Sequence, residues 1–193
     1  MEMFHDYPRF ELVSQFADQT DLLPTRATKF SAGYDFFVAQ DTIVPALSKK
    51  AKHIDSYINT AQMAGRMEKY KPEFNLDEVA KITKDAKEKL TLVPTGVKAY
   101  LPEGTYLQLA VRSSCPLKHW LILGNGVGIV DCDYYNNPDN EGHIYFMIVN
   151  LFPYDILLRR GDRIGQGIIL PYFLAEGDNA TATRMGGYGS TGK

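Results

Sequence analysis

Two stretches of this chain place residue types at spacings that suit polyphosphate chemistry. The first is Arg184-Met-Gly-Gly-Tyr-Gly-Ser-Thr-Gly-Lys193, in which Gly187 to Lys193 has the G-x-x-x-x-G-K spacing of a phosphate loop. A phosphate loop also needs a preceding strand, a Ser or Thr after the Lys, and a helix N-terminus facing the phosphates. The sequence stops at Lys193, so the expectation is a free tail. Such a tail wraps a polyphosphate with Arg184, Ser190, Thr191 and backbone N–H groups such as that of Gly189, while Tyr188 offers a flat face to a base. Taken alone, a Gly/Ser terminus reads as a disordered polar end. The second stretch changes that reading: Asn125-Gly-Val-Gly-Ile-Val-Asp-Cys-Asp-Tyr134 sets a carboxylate and a tyrosine three residues apart, behind small residues that let a backbone approach a ligand closely.

The rest of the chain must position these groups. At 193 residues, 45% hydrophobic and 23% charged, it has the make-up of one soluble globular domain with its own core. A net charge of −2 leaves no electrostatic footprint for nucleic acid, so a polyanion must be met by a few local Arg or Lys residues. The two cysteines, Cys115 and Cys132, form no CxxC pair, which implies a reducing compartment and no disulfide framework. His5, His53, His119 and His143 show no metal-ligand spacing. No apolar run nears the roughly 20 residues of a membrane span, and no signal-peptide pattern opens the chain. The expected location is the cytoplasm.

Residues 8–45 hold short apolar runs broken by Pro24, Gly33 and Pro45, a pattern of strands and turns. Residues 46–90 change period: Leu47, Ala51, Ile54, Ile58 and Ala61 share one helical face, and after Pro72 a second helix is capped by Asn75. That segment carries ten Lys/Arg against seven Asp/Glu, leaving eleven against sixteen elsewhere. A two-helix insertion in a β domain follows, either covering a sheet edge or serving as a partner-binding arm. From Leu92 the β pattern returns, with strands expected at Tyr106–Val111, His143–Leu151 and Ile164–Phe173, and with Pro116 read as punctuation.

Five blocks, in order, resemble the five motifs of the trimeric dUTP diphosphatase (dUTPase) family, in its bacterial and phage form. They are Ala32-Gly-Tyr-Asp35; Arg112-Ser-Ser114; Asn125 to Tyr134; Gly161-Asp-Arg-Ile-Gly-Gln166; and Arg184 to Gly192. The resemblance covers residues 8–45 and 91–193. It implies a mainly β fold, a distorted jelly roll of the β-clip type, forming one domain over 1–193 with a helical insertion at 46–90 and a mobile tail at 184–193. It further implies a homotrimer with shared active sites, the tail of one subunit closing over a site built by the other two.

The same resemblance assigns roles. Asp131 matches the general base that activates water, Tyr134 the ring that packs beneath deoxyribose and excludes a 2′-hydroxyl, and Asn125 with Gly128, Ile129 and Val130 the segment that reads uracil through main-chain groups. Arg112, Ser113 and Ser114 match the phosphate-contacting block, and Gln166 the glutamine that helps place phosphates or water. Tyr145 joins the substrate-binding set, as do Arg184, Tyr188, Gly189, Ser190 and Thr191 of the tail. Asp35 pairs with an arginine in a supporting role. Mg²⁺ is implied on the triphosphate and its waters, with no protein ligand. The implied reaction is hydrolysis of dUTP to dUMP and pyrophosphate at the α-phosphorus, in a bacterium or a phage-infected host.

Three departures stand out. The second motif reads Arg-Ser-Ser instead of Arg-Ser-Gly, Tyr188 replaces the usual phenylalanine, and the turn after Tyr134 is lengthened to Tyr135-Asn-Asn-Pro-Asp-Asn-Glu-Gly142. The Arg-Ser-Ser form also occurs in dCTP deaminases of the same fold, but their catalytic glutamate aligns with Met147, whose thioether cannot shuttle protons. Deamination is the weaker alternative. A regulatory role through residues 46–90, added to catalysis, is the other.

Overall fold

The computed structural model describes residues 7–46, 90–151, 155–184, 186 and 187. Both expected helices of the 46–90 segment, and Tyr188 to Thr191 of the tail, lie outside them. Among the described residues there are eleven strands: Arg9–Leu12 (β1), Tyr34–Phe37 (β2), Thr42–Val44 (β3), Thr91–Pro94 (β4), Val97–Tyr100 (β5), Thr105–Val111 (β6), Leu121–Leu123 (β7), Gly128–Asp131 (β8), Tyr145–Asn150 (β9), Ile156–Leu158 (β10) and Arg163–Pro171 (β11). They make a four-stranded sheet ordered β2-β11-β6-β8, a three-stranded sheet β4-β9-β7, and the pairs β1-β5 and β10-β3. Every ladder is antiparallel. The architecture is mainly β and jelly-roll-like, as the sequence implied.

The core follows from side-chain alternation. Along β9, Phe146, Ile148 and Asn150 point inward while Tyr145, Met147 and Val149 face the other side. Phe36, Leu107, Ile144, Phe146, Ile148 and Ile164 are fully buried in one cluster, and removing each such side chain from water contributes about 1.5–3 kcal/mol. Gly165 makes room for this cluster, because a Cβ there would stand 2.0 Å from Cε1 of Phe146. Buried Asn150 keeps its amide satisfied by donating from Nδ2 to the Val44 carbonyl at 3.0 Å.

One element departs from expectation. Ser114–His119 is a short α-helix (α1) instead of a turn within a β run, closed by Trp120 in the left-handed region at φ 53°. Pro116 does not break it, since a proline in the first helical turn forfeits no intrahelical bond. Six residues are too few to show a helical period in sequence.

The two ends of the 47–89 segment dock on one strand. Ala46 bridges Asn150, and Thr91 pairs with Ile148. They therefore sit two positions apart along β9, about 7 Å. Ala46 is held further by its N–H donating to Asp155 Oδ1 at 2.9 Å.

Candidate active site

Strand β8 and the turn before it build the first group of site residues. Leu123 ends β7 in one sheet and Gly128 begins β8 in another, so Gly124 to Val127 must cross between sheets in four residues. Gly126 makes this possible at φ +71°, with its N–H donating to the Leu123 carbonyl at 3.0 Å. Gly128 then packs against Leu109, where a Cβ would come within 3.0 Å of the Leu109 Cβ. After Asp131 the chain tightens into the 3-10 turn Cys132–Tyr134, which swings Tyr134 inward to 6% exposure.

The result is a cavity of about 340 Å³ lined by Asn125, Gly128, Ile129, Val130, Asp131, Tyr134 and Tyr145, with Arg184 and Gly187 at its edge. Eight of the residues assigned from sequence thus converge on one pocket. Leu109, Leu123 and Met147 complete the apolar wall; the first two carry no motif and only their inward place in the strand alternation could have marked them. Burial raises the pKa of the Tyr145 phenol, so it stays protonated and able to donate.

The start of the tail lies over this pocket. Arg184 is bonded to Asp131 through Nη2 and to Asp133 through Nε, the latter at 2.7 Å, and its guanidinium stands 5.9 Å from the Tyr134 ring centre. Gly187 presses against the same ring, leaving no space for a side chain: a Cβ would be 2.5 Å from Cε2. Asp133, which sequence reading left unassigned, gives the arginine its second anionic partner.

The remaining assigned residues gather elsewhere. Asp35, 7% exposed, lies between Arg112 at 3.2 Å and Arg163 at 3.5 Å. Gln166 pairs with Asp35 across β11 and β2, and its side chain folds over Gly33, where a Cβ would stand 2.6 Å from Oε1. That contact is the physical reason for a glycine before Tyr34-Asp35. Arg112 and Ser114 line a second cavity of about 420 Å³ with His119, Asp162 and Arg163. Ser113 is exposed at the entrance to α1. Nearby Cys115 is buried, bonds the Ile164 carbonyl through Sγ at 3.3 Å, and has its thiol pKa raised by that burial; it is a packing residue.

Strand β6 measures the gap between the two groups. Asp131 pairs with Tyr106 near its start, whereas Arg112 follows its end. Six residues of extended chain span about 20 Å. One chain therefore holds the Asp131 end of the pocket and the cationic group apart, with the Leu109 wall between them. Among the described residues no three His, Cys, Asp or Glu side chains converge as a metal site, and no helix is long and apolar enough to cross a membrane.

Comparison with known proteins identifies the family. A family model described as dUTPase matches residues 73–192. The deoxyuridine 5′-triphosphate nucleotidohydrolase of Lactococcus lactis is 33% identical over 185 residues, spanning 95% of this chain and 96% of the relative. The crystal structure of dUTPase from Streptococcus mutans is similar with a TM-score of 0.65 at 36% identity, covering 88% of this chain and 99% of that one. A dUTPase from phage phi11 of S. aureus, described with a structural Mg(II) ion, shares the fold at a TM-score of 0.55 and 16% identity, over 91% and 97% of the two chains.

Proposed function

The chain belongs to the dUTPase family and turns dUTP into dUMP; from that premise we propose how its residues do so. The observation that carries the proposal is the placing of Asp131 at the rim of a pocket whose floor is the buried Tyr134 ring. Uracil enters between the Asn125 turn and β8, where main-chain groups from Gly128 to Val130 read its edge, and Tyr145 borders the same space. Deoxyribose rests on Tyr134, which leaves no room for a 2′-hydroxyl. The Asp131 carboxylate takes a proton from water as that water attacks the α-phosphorus. The bond to the bridging oxygen breaks, and pyrophosphate leaves with the electron pair.

The phosphates need cations that the pocket itself lacks apart from Arg184. Arg112, with Ser113, Ser114 and Gln166, supplies them from about 20 Å away along β6, so the complete site requires a second copy of the chain. A homotrimer meets this need, its tail closing over the joint site with Arg184, Tyr188, Gly189, Ser190 and Thr191. Arg184 must leave Asp131 before the carboxylate can act as a base, and the incoming phosphates are the anions that draw it away. The pairing seen within one chain displays that complementarity, whichever subunit supplies the arginine.

Mg²⁺ fits this site as a passenger on the triphosphate. Asp35 is the carboxylate paired with Arg112, and Arg112 and Arg163 already occupy its oxygens, so it suits contact through water only. When bound, the metal spreads the phosphate charge and holds one triphosphate conformation. Deamination of dCTP finds no support in the pocket, where Met147 offers no proton carrier.

We further propose that residues 46–90 are an insertion within a single domain, since Ala46 and Thr91 meet on the same strand. Joining Pro45 to Thr91 through a short Gly-Ser linker should leave a folded, active oligomer, and an insoluble or monomeric product would overturn the assignment. For the reaction, incubation with dUTP, dCTP, dTTP or UTP plus Mg²⁺ should give dUMP and pyrophosphate from dUTP alone at an efficient rate. Orthophosphate from every triphosphate, or dUTP from dCTP, would refute it.

A further inference from the structure

The lengthened loop after Tyr134 is folded around two asparagine side chains, and both lead back to the Tyr134 ring. Asn137, 5% exposed, donates from Nδ2 to the Tyr134 carbonyl at 3.2 Å and to Asn140 Oδ1 at 2.8 Å. Its own Oδ1 accepts from the N–H groups of Asp139 and Asn140. Asn140 Oδ1 also accepts from the Gly142 N–H at 3.1 Å. With two donors on Oδ1, the amide has one workable orientation, and Nδ2 faces the Tyr134 hydroxyl at 2.8 Å. That hydroxyl donates in turn to the His143 carbonyl at 3.1 Å.

Backbone geometry fixes the loop in this shape. Asn136 and Glu141 adopt φ 56° and 60°, and Gly142 at φ +80° lies so close that a Cβ would stand 2.6 Å from the Tyr134 carbonyl. The outer side is tied down as well: Glu141 accepts from the Ser14 N–H and hydroxyl, and Lys98 donates to Asn136 at 2.6 Å. The network thus runs from the surface to the phenolic oxygen at the far end of the ring.

We infer that Asn140 is a positioning residue that locks the Tyr134 ring, so that rejection of a ribose 2′-hydroxyl depends on the Asn140–Tyr134 hydrogen bond. The inference rests on the sugar-facing role proposed for Tyr134. Excluding a single hydroxyl demands a wall that does not yield, because a ring tilt of about 1 Å is enough to weaken a steric filter. A buried ring held only by apolar contact can tilt; one pinned at its hydroxyl between a fixed amide and a carbonyl cannot. The lengthened loop is what brings Asn140 to the hydroxyl.

The test measures kcat/KM for dUTP and for UTP in the full-length protein, Asn140→Leu, Tyr134→Phe and the double variant. Asn140→Leu should lower the dUTP-to-UTP ratio by about tenfold, Tyr134→Phe by at least as much because it also loses the bond to the His143 carbonyl, and the double change no further than Tyr134→Phe. A purely structural role would scale both nucleotides together and leave the ratio untouched. An unchanged ratio in both single variants, or additive losses, overturns the inference while the dUTPase reading stands. A wild-type protein that does not prefer dUTP over UTP sinks both. If Asn140→Leu does not fold, Asn140→Ser takes its place, since the shorter side chain cannot reach the Tyr134 hydroxyl: loss of preference supports the lock and full preference refutes it.

Discussion

The pocket at β8 and the arginine cluster at β2 and β11 are made from opposite materials. The first is walled by Leu109, Leu123, Ile129 and Met147, with Asp131 as its carboxylate and Asp133 beside it as the second partner of Arg184. The second sets two arginines around one buried carboxylate, with a glutamine folded over a glycine. An apolar wall suits a base and sugar, whereas guanidinium groups suit phosphate. Their separation along β6 teaches that each surface is stable alone because neither asks one fold to bury both kinds of group together. The joint site proposed above would make the reaction a property of the assembly.

The comparison can be broken first at its catalytic end. Asp131→Asn keeps shape but removes the base, and turnover should fall by about 10²–10⁴-fold while nucleotide affinity changes far less. Near-normal turnover would move the base out of the pocket. Removal of residues 184–193 should cost about 10²-fold or more, because Arg184 and the remaining tail donors are lost together, while light scattering still reports the intact oligomer. Full activity after truncation would make the tail an onlooker.

Subunit mixing sharpens the comparison directly. Asp131→Asn and Arg112→Gln proteins should each be nearly inactive, yet co-refolding them should restore about a quarter of the sites, since half the pockets and half the arginine clusters are intact and meet at random. No recovery would mean that both halves serve one site within one chain.

A smaller effect concerns the structural support of the pocket. His143 is 4% exposed, accepts the Gly96 N–H on Nε2 at 2.8 Å, and packs against Phe16 and Tyr145. Burial lowers its pKa to about 4, against a weak opposing pull from Glu141. The folded state therefore resists protonation that the unfolded chain accepts below its ordinary value of 6.5. Stability from this group is complete above pH 6.5 and is lost as pH falls toward 4, by up to about 3 kcal/mol. His143→Gln should flatten the fall in melting temperature over that window, and an unchanged acid profile would place the acid sensitivity elsewhere.

Much of this was legible in the sequence because strands announce themselves by alternation. Tyr106–Val111 is recovered within one residue as β6, and the expected strands at His143–Leu151 and Ile164–Phe173 shorten to β9 and β11. The pocket residues from Asn125 to Tyr134 lie within one short stretch and their grouping could be read from order alone, whereas Leu109, Tyr145, Met147 and Arg184 join them from elsewhere in the chain. The split between pocket and arginine cluster could not, since Arg112 and Asp131 are close in sequence and only the β6–β8 register shows them far apart. Asn137 and Asn140 carry no sequence signal beyond the lengthened turn, and His143 none beyond its lack of metal-ligand spacing. Their roles come from partners that the fold supplies, and no spacing rule names a hydrogen-bond partner in advance.

The meeting of Ala46 and Thr91 on β9 has a consequence for how such a chain can vary. With both ends anchored on one strand, the cost of whatever joins them is mainly that of closing a loop, which rises by only about 0.6 kcal/mol for each doubling of length. On the insertion proposed above, lengthening or shortening the connection should leave the registers of β3, β4 and β9 as they are. The position is thus a port in the architecture, where lineages can graft new segments, and where a reporter domain or a fresh pair of chain termini can be installed without redrawing the catalytic surfaces.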